Sequence, residues 1–376
     1  MYHAAMGLNH DESMGTSASS ATRQQGASRN GAILVTGAGG EMGHGLLQAL
    51  AEDRIARAKR GESSPAIVAV DLRELPESHR SLCDECFTGD VCDARLIERM
   101  LSSFEVGEIY HLAALLSTRS EFVPETAHAV NVGGTLNLLR LAAEEARTHG
   151  STVRFFFPSS IAAYGLADLK AKREAGAVSE DSYLHPHTMY GCNKVSGENL
   201  GHYYENHYRK LANDRIERPI DFRSIRFPGI ISADTVPSGG TSDYGPEMLH
   251  AAARGESYAC FVRPDARIPF MTMPEAIDAI RRIMSAPKGD LSRNVYNVQS
   301  FHPSAEEFLG EVRRHFPDAE TDFVPDAARQ AIIDSWPENC DDAAAARDWG
   351  WRPEYDLESA FNEYLVPRIR RRYEGA

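Results

Sequence analysis

Over the first two thirds of the chain, short apolar runs alternate with longer stretches in which apolar residues recur every three or four positions. Ala32–Val35, Ala66–Val70, Ile109–Ala114 and Val153–Phe157 are runs of the first kind, interrupted only by His111 and Arg154. Continuously apolar runs bounded by turn residues suit strands covered on both faces, as in a parallel sheet. Between the first two runs, Leu46, Leu47 and Leu50 have helical spacing. Strand and helix alternate from residue 31 to about 226, which predicts a doubly wound parallel α/β sheet. From Phe227 the pattern becomes irregular, with helices near Tyr244–Arg254, Pro274–Ala286, Ala305–Phe316 and Leu357–Tyr373 and a short strand at Asn294–Val298. Residues 227–376 therefore read as a smaller C-terminal substrate lobe over the carboxyl ends of the sheet, with Val295–Val298 returning to the main body. Residues 1–30 are rich in Ser, Ala, Gly and polar groups and read as a disordered tail.

The first strand runs into Gly37-Ala38-Gly39-Gly40-Glu41-Met42-Gly43, and the second ends in Asp71. Gly37 permits a tight turn, Gly40 lets the backbone approach a pyrophosphate, and Gly43 lets the helix pack closely on the strand. The helix N-terminus supplies free N–H groups and partial positive charge for an anion. A carboxylate at Asp71 accepts hydrogen bonds from ribose hydroxyls and repels a 2′-phosphate, which favours NAD over NADP; Arg73 weakens that preference without reversing it. The alternative for Asp71 is a turn or cap residue. This strand–glycine–helix–strand order makes the sheet Rossmann-type. Gly89-Asp90-Val91 then places Asp90 near the adenine, and the small residues Ala113 and Ala114 after the fourth strand let a cofactor pass close to the backbone. His111, closing a buried strand, reads as a structural residue.

Ser159 and Ser160 follow the fifth strand, at the end of the sheet where ligands bind, although serines there also serve as turn or cap residues. Tyr190 and Lys194 are spaced to lie on one helix face, one turn apart. An ammonium beside a phenol favours phenolate, so Tyr190 is a candidate base. The alternative is a solvated helix face.

Thr36-Gly37, Gly40, Gly43, Asp71, Ser159-Ser160-Ile161-Ala162-Ala163-Tyr164-Gly165 and Tyr190-x3-Lys194 together resemble the extended short-chain dehydrogenase/reductases, over almost everything after residue 30. Arg223–Ser232, Gly239-Gly240-Thr241-Ser242-Asp243-Tyr244, Asp334-Ser335-Trp336-Pro337 and Asp348-Trp349-Gly350-Trp351 look like the short-chain-type L-threonine 3-dehydrogenases within them. The resemblance implies NAD-dependent oxidation of L-threonine to 2-amino-3-oxobutyrate, in threonine catabolism. Tyr190 would be the base, Lys194 would lower its pKa and hold the nicotinamide ribose, and Ser160 would donate to the substrate oxygen. It also implies cofactor contacts at Glu41, Met42, Val91, Leu112, Asn131, Pro228 and Ile230, besides the positions named above. Substrate contacts would come from Ser117, Thr241 and Asp243, the last on the ammonium, with backbone N–H groups at Gly239 and Gly240 on the carboxylate. A helix cap before Tyr244 is the alternative for Thr241 and Asp243. Relatives are commonly dimers, so a homodimer is expected.

Two departures stand out: Leu166–His187 is longer than the pattern, which bears on access to the site, and Pro237–Gly240 has one glycine fewer. A nucleotide-sugar epimerase or dehydratase of the same superfamily is the runner-up. Ser160 is followed by Ile161 and Ala162 where such dehydratases carry an acidic pair, and Ile268–Met273 reads as a small apolar wall; Arg263 and Arg267 favour the runner-up. A non-catalytic NAD sensor would be expected to lack the tyrosine or the lysine, and both are present.

The formal charge of −14 over 376 residues argues against nucleic acid or anionic membrane as a partner. No run approaches the ~20 apolar residues of a membrane-spanning helix. The tail carries Arg23 and Arg29 beside Asp11 and Glu12, a poor transit peptide, so a cytoplasmic location is expected, with the mitochondrial matrix the alternative in a eukaryote. Six cysteines without a secretory signal imply free thiols. Cys83-x2-Cys86-x5-Cys92 with His79 invites a zinc reading, but its ligands would come from the stretch forming the third strand, so no metal is expected. Cys192 is expected to pack.

Overall fold

The computed structural model describes residues 30–237 and 239–373. The expected tail, apart from Asn30, and Ser238 of the Pro237–Gly240 stretch lie outside the described residues.

The apolar runs become strands β1 (Asn30–Thr36), β2 (Ala66–Asp71), β3 (Glu85–Thr88), β4 (Phe104–His111), β5 (Val153–Ser160), β6 (Ile220–Phe227) and β7 (Val295–Asn297). They form one parallel sheet of seven strands in the order β7-β6-β5-β4-β1-β2-β3. The order reverses between β1 and β4, which opens a crevice at their carboxyl ends, the usual ligand site of such sheets. β4 ends at His111, three residues earlier than its apolar run; Leu112 still donates to Thr36 O (3.0 Å), and the small residues beyond form a loop. β6 is buried at all eight positions although it carries Asp221, Arg223 and Arg226.

Five helices frame the crevice: α1 (Glu41–Lys59), α2 (Ser117–Phe122), α3 (Met189–Asn206), α4 (Tyr244–Arg254) and α5 (Ala327–Ser335). α3 lies flush on the sheet because it is glycine-rich on that face. A Cβ at Gly197 would stand 2.3 Å from the Phe157 ring, and one at Gly201 2.2 Å from the Phe222 ring.

The chain after Phe227 contributes to both bodies of the molecule. β7 extends the main sheet, and the helix Met273–Ser285 packs beside α1, where Ile277 lies 3.0 Å from the position of a Gly45 Cβ. The remainder builds a second core around Tyr244, Phe270, Phe308 and Phe361. Ile268, Phe270 and Met271, in the stretch read as an apolar wall, are buried in the core.

The long 166–187 segment is docked on that second core. Its helix, Leu169–Ala175, buries Lys172, whose ammonium donates to Ile333 O of α5 (2.8 Å). Burial pulls that lysine down to about 8. Ala177–Val178 pairs with Asn339–Cys340, and Arg173 bridges to Asp265 at 2.7 Å.

The glycine face of α3 yields a stability prediction. Gly201→Ala should gain up to about 1 kcal/mol of helix propensity but lose about 1–3 kcal/mol by displacing Phe222. A net fall in the urea unfolding midpoint is expected; a rise would show that the helix–sheet contact yields freely.

Candidate active site

The turn after β1 is shaped by two contacts that only glycine permits. Gly37 has φ +68°, and a Cβ there would stand 2.5 Å from Ala113 N, so the glycine turn and the Leu112–Ala114 loop touch backbone to backbone. A Cβ at Gly43 would stand 2.5 Å from Gly37 O, which presses the start of α1 onto the turn. Gly40 donates to Gly37 O (3.1 Å) and precedes the first residue of α1, Glu41. The cradle therefore presents unobstructed backbone and a helix N-terminus, which fits a dinucleotide pyrophosphate.

Asp71 lies beside it, accepting from Gly39 N (2.8 Å) and Arg73 N (3.1 Å). These bonds give it the turn role considered as an alternative and also hold the carboxylate at the rim of the cradle. Asp90 accepts from Cys92 N (2.9 Å), and Val91 packs against Gly134. Asn131, in a π-helical turn at Ala129–Gly133, is turned toward the protein: its amide accepts from Leu115 N (2.7 Å) and donates to Leu115 O (3.0 Å). It fixes the Leu112–Leu115 loop from behind. Ile230 lies in the short strand Gly229–Ile231, after Pro228, alongside Phe270–Thr272. His111 is structural, bonded to the hydroxyls of Thr36 (2.8 Å) and Thr135 (3.0 Å); burial, then the charge of Lys194, holds it down to about 3.

The end of β5 and the start of α3 meet residue by residue. Lys194 donates to Pro158 O (2.6 Å), Ser159 donates to Glu198 (2.5 Å), and Ser160 accepts from Ala162 N (3.1 Å). Strand alternation sends Ser159 inward and leaves Ser160 half-buried at the mouth. A Cβ at Gly191 would stand 2.0 Å from Ala162 O and 2.6 Å from Pro186. That glycine lets the helix carrying Tyr190 sit directly on the turn that carries Ser160. Thr188 caps α3 by accepting from Gly191 N (3.1 Å), and Glu121 of α2 accepts from Met189 N (2.7 Å).

Lys194 Nζ lies 5.1 Å from the centre of the Tyr190 ring and 4.9 Å from that of Phe157. Burial pushes the Tyr190 phenol above its usual range and pulls Lys194 down to about 8, the latter partly opposed by Glu198. For Tyr190 this direction, set by burial, is opposite to the one expected from the nearby lysine.

On the opposite wall, Thr241 donates to Ser117 Oγ (3.2 Å), and Thr118 donates to Gly239 O (3.0 Å). Asp243 precedes α4 but makes no side-chain cap; its carboxylate accepts from Gly240 N (2.6 Å), which occupies that N–H. Arg329 of α5 holds the same loop through Gly240 O (2.8 Å). Glu41 reaches across from α1 toward Thr235; burial raises its pKa, with a smaller upward push from Asp243.

The structure thus brings Ser117, Thr241 and Asp243 together on one wall, and Ser160, Tyr190 and Lys194 on the other. Gly191, Thr118, Glu121, Glu198 and Arg329 are contributors that sequence reasoning missed. Glu198 was findable as the next step in the 190, 194 series. Cys192 does not pack: it is exposed, its sulfur 3.9 Å from Pro186 O, because it points away from the face that Gly191 presses on Ala162. Cys92 faces Ala129 O (3.6 Å) and Cys83 faces His79 O (3.4 Å). Among the described residues, no group of three or more His, Cys, Asp or Glu side chains is placed to hold a metal ion, and no helix is long and apolar enough to cross a membrane.

Residues 33–298 match the NAD dependent epimerase/dehydratase family. The mitochondrial L-threonine 3-dehydrogenase of Bos taurus is 34% identical over 325 residues, covering 86% of this chain and 79% of the relative. An uncharacterized epimerase/dehydratase of Staphylococcus haemolyticus is 35% identical over 91% of this chain and 99% of its own length. Among solved structures, an L-threonine 3-dehydrogenase from a metagenome, described as monomeric, superposes with a TM-score of 0.77 at 36% identity, covering 91% of this chain and 99% of that one. The expected homodimer is therefore not a feature of every such relative. The glycine cradle, the parallel sheet and these matches agree, and the chain belongs to the NAD-dependent epimerase/dehydratase family, with NAD as its cofactor.

Proposed function

We propose that this protein oxidises L-threonine at its secondary alcohol to 2-amino-3-oxobutyrate, with NAD+ as hydride acceptor. The observation that supports the reading is the contact of Gly191 with Ala162, which packs the start of the helix carrying Tyr190 and Lys194 onto the turn that follows Ser160. Removing the proton of a secondary alcohol needs a base in reach and a donor for the oxygen as it gains charge. Tyr190 takes the proton, Ser160 donates to the oxygen, and the Lys194 ammonium stabilises the phenolate. When bound, NAD+ supplies the hydride acceptor and a positive charge that further favours the phenolate. Across the crevice, Asp243 meets the substrate ammonium, while the hydroxyls of Ser117 and Thr241 meet its carboxylate. Asp71 holds the adenosine ribose, and Gly37, Gly40 and Gly43 leave room for the pyrophosphate.

The nucleotide-sugar alternative rested on Arg263 and Arg267, and the pairing of both weighs against it. Arg263 is paired with Asp334 (2.9 Å) and Asp265 (3.0 Å), and Arg267 with Glu307 (2.9 Å), so both cations already have partners within the protein.

NADH formation from L-threonine, L-serine, L-allo-threonine and a nucleotide-sugar panel tests the reading. A folded, NAD-binding sample that forms no NADH from L-threonine would overturn it. Tyr190→Phe should lower turnover by about 10²–10⁴-fold while changing NAD+ affinity little; unimpaired turnover would remove Tyr190 as the base. Asp71→Ala should raise the Kd for NAD+ roughly tenfold and narrow the gap to NADP+. Calorimetric titration with both dinucleotides measures this, and an unchanged preference would show that Asp71 serves only the turn.

A further inference from the structure

Beneath the candidate site lies a buried charge cluster with no place in the chemistry above. Glu198 is 6% exposed and Arg226 2%. Arg226 grips both carboxylate oxygens, Nε to Oε1 at 2.8 Å and Nη2 to Oε2 at 2.6 Å. Its remaining nitrogen donates to Tyr164 Oη (3.0 Å) and Glu180 O (2.7 Å), and Tyr164 donates onward to Asn297 (2.7 Å). Ser159 adds a third bond to Glu198 at 2.5 Å.

Two features of placement matter. Glu198 stands one helical turn beyond Lys194, as Lys194 stands one turn beyond Tyr190, so the three share a face of α3. Their partners on β5 are consecutive: Pro158 O takes the lysine and Ser159 takes the glutamate, and the next residue is Ser160. The clamp therefore fixes the register of α3 on β5, and with it the placement of Tyr190 against Ser160. It also places a negative charge one helical turn from Lys194.

We propose that Glu198 is a positioning residue for the reaction: locked between Arg226 and Ser159, its carboxylate keeps Lys194 in the ammonium form and in register with Tyr190. The proposal rests on the reading of Tyr190 and Lys194 given above. The groups facing Lys194 are few. On α3 they are Tyr190 and Glu198. From β4 comes His111, held uncharged by burial. From β6 comes Arg226, screened by Glu198, with Tyr164 beyond it. Glu121 of α2 and His128 face the same helix, but are bound to Met189 N and to Asn193. Glu198 is thus the anionic group whose removal should be felt most directly at the lysine.

The signs follow from the charges. Lys194 loses its proton as pH rises, so the alkaline limb of the kcat/KM profile reports it. Glu198→Gln removes a negative charge and leaves Arg226 uncompensated; the alkaline limb should move to lower pH by about one unit or more. Arg226→Met leaves Glu198 uncompensated, and the limb should move to higher pH. A clamp that only holds the fold would lower stability and turnover in both variants without moving the limb in opposite directions, and that result, or an unmoved limb, overturns the proposal.

A substrate-free readout separates this test from the identity of the substrate. The 13Cε resonance of Lys194, assigned by its loss in a Lys194→Met counterpart, should titrate at lower pH in Glu198→Gln and at higher pH in Arg226→Met. Failure to oxidise L-threonine would leave that measurement intact. If the ion-pair variants do not fold, Ser159→Ala keeps both ions and removes one donor from Glu198. Its alkaline limb should rise by a few tenths of a unit with turnover reduced roughly threefold or more, and an unchanged profile would overturn the proposal.

Discussion

The buried pair of Arg226 and Glu198 is the constraint through which the sheet, the helix carrying Tyr190 and the second core are held in one arrangement. Taking two ions out of water costs several kcal/mol each, and such a pair persists only where geometry and further hydrogen bonds compensate. Here they do. The guanidinium meets the carboxylate at two points, and its remaining bonds reach Tyr164 and Glu180, while Ser159 completes the carboxylate. Four stretches far apart in sequence, at residues 159–164, 180, 198 and 226, are fixed by one cluster. Losing either ion strands the other in a dry interior, so the cluster favours one packing over its near alternatives.

Around that cluster, close approach is set by the absence of side chains. Gly191, Gly197 and Gly201 let α3 lie against Ala162, Phe157 and Phe222. Gly37 and Gly43 do the same where the turn after β1 meets the Ala113 loop. The result is a crevice with one side almost entirely backbone and another carrying the hydroxyl, phenol and ammonium of Ser160, Tyr190 and Lys194. Burial disfavours the charged forms of Tyr190 and Lys194 alike. The pair is therefore sensitive to any charge brought near it, whether from a bound ligand or from the protein itself.

The second core has its own relation to the site. Arg329 of α5 and Thr118 of α2 hold the Gly239–Gly240 loop through successive carbonyls. The long 166–187 segment docks on α5 through the buried Lys172. The segment read from sequence as a departure that could alter access is a buttress behind the helix that holds the Gly239–Gly240 loop.

The sequence alone determined the parts whose signal is local. A strand covered on both faces is mostly apolar, a turn pressed backbone to backbone against its neighbour must be glycine, and a carboxylate closing the second strand is read directly from the chain. The sheet, the glycine turn, the position of Asp71 beside it and the shared helix face of Tyr190 and Lys194 were legible for these reasons. What only the tertiary structure decided were meetings between residues remote in sequence. Glu198 found Arg226, Asn131 turned to Leu115 rather than to the cofactor groove, Gly191 proved to be a contact rather than a spacer, and Cys192 came out exposed. None of these has a periodicity or a composition to announce it, because a buried charge or a missing side chain acquires meaning only from what the fold places opposite it.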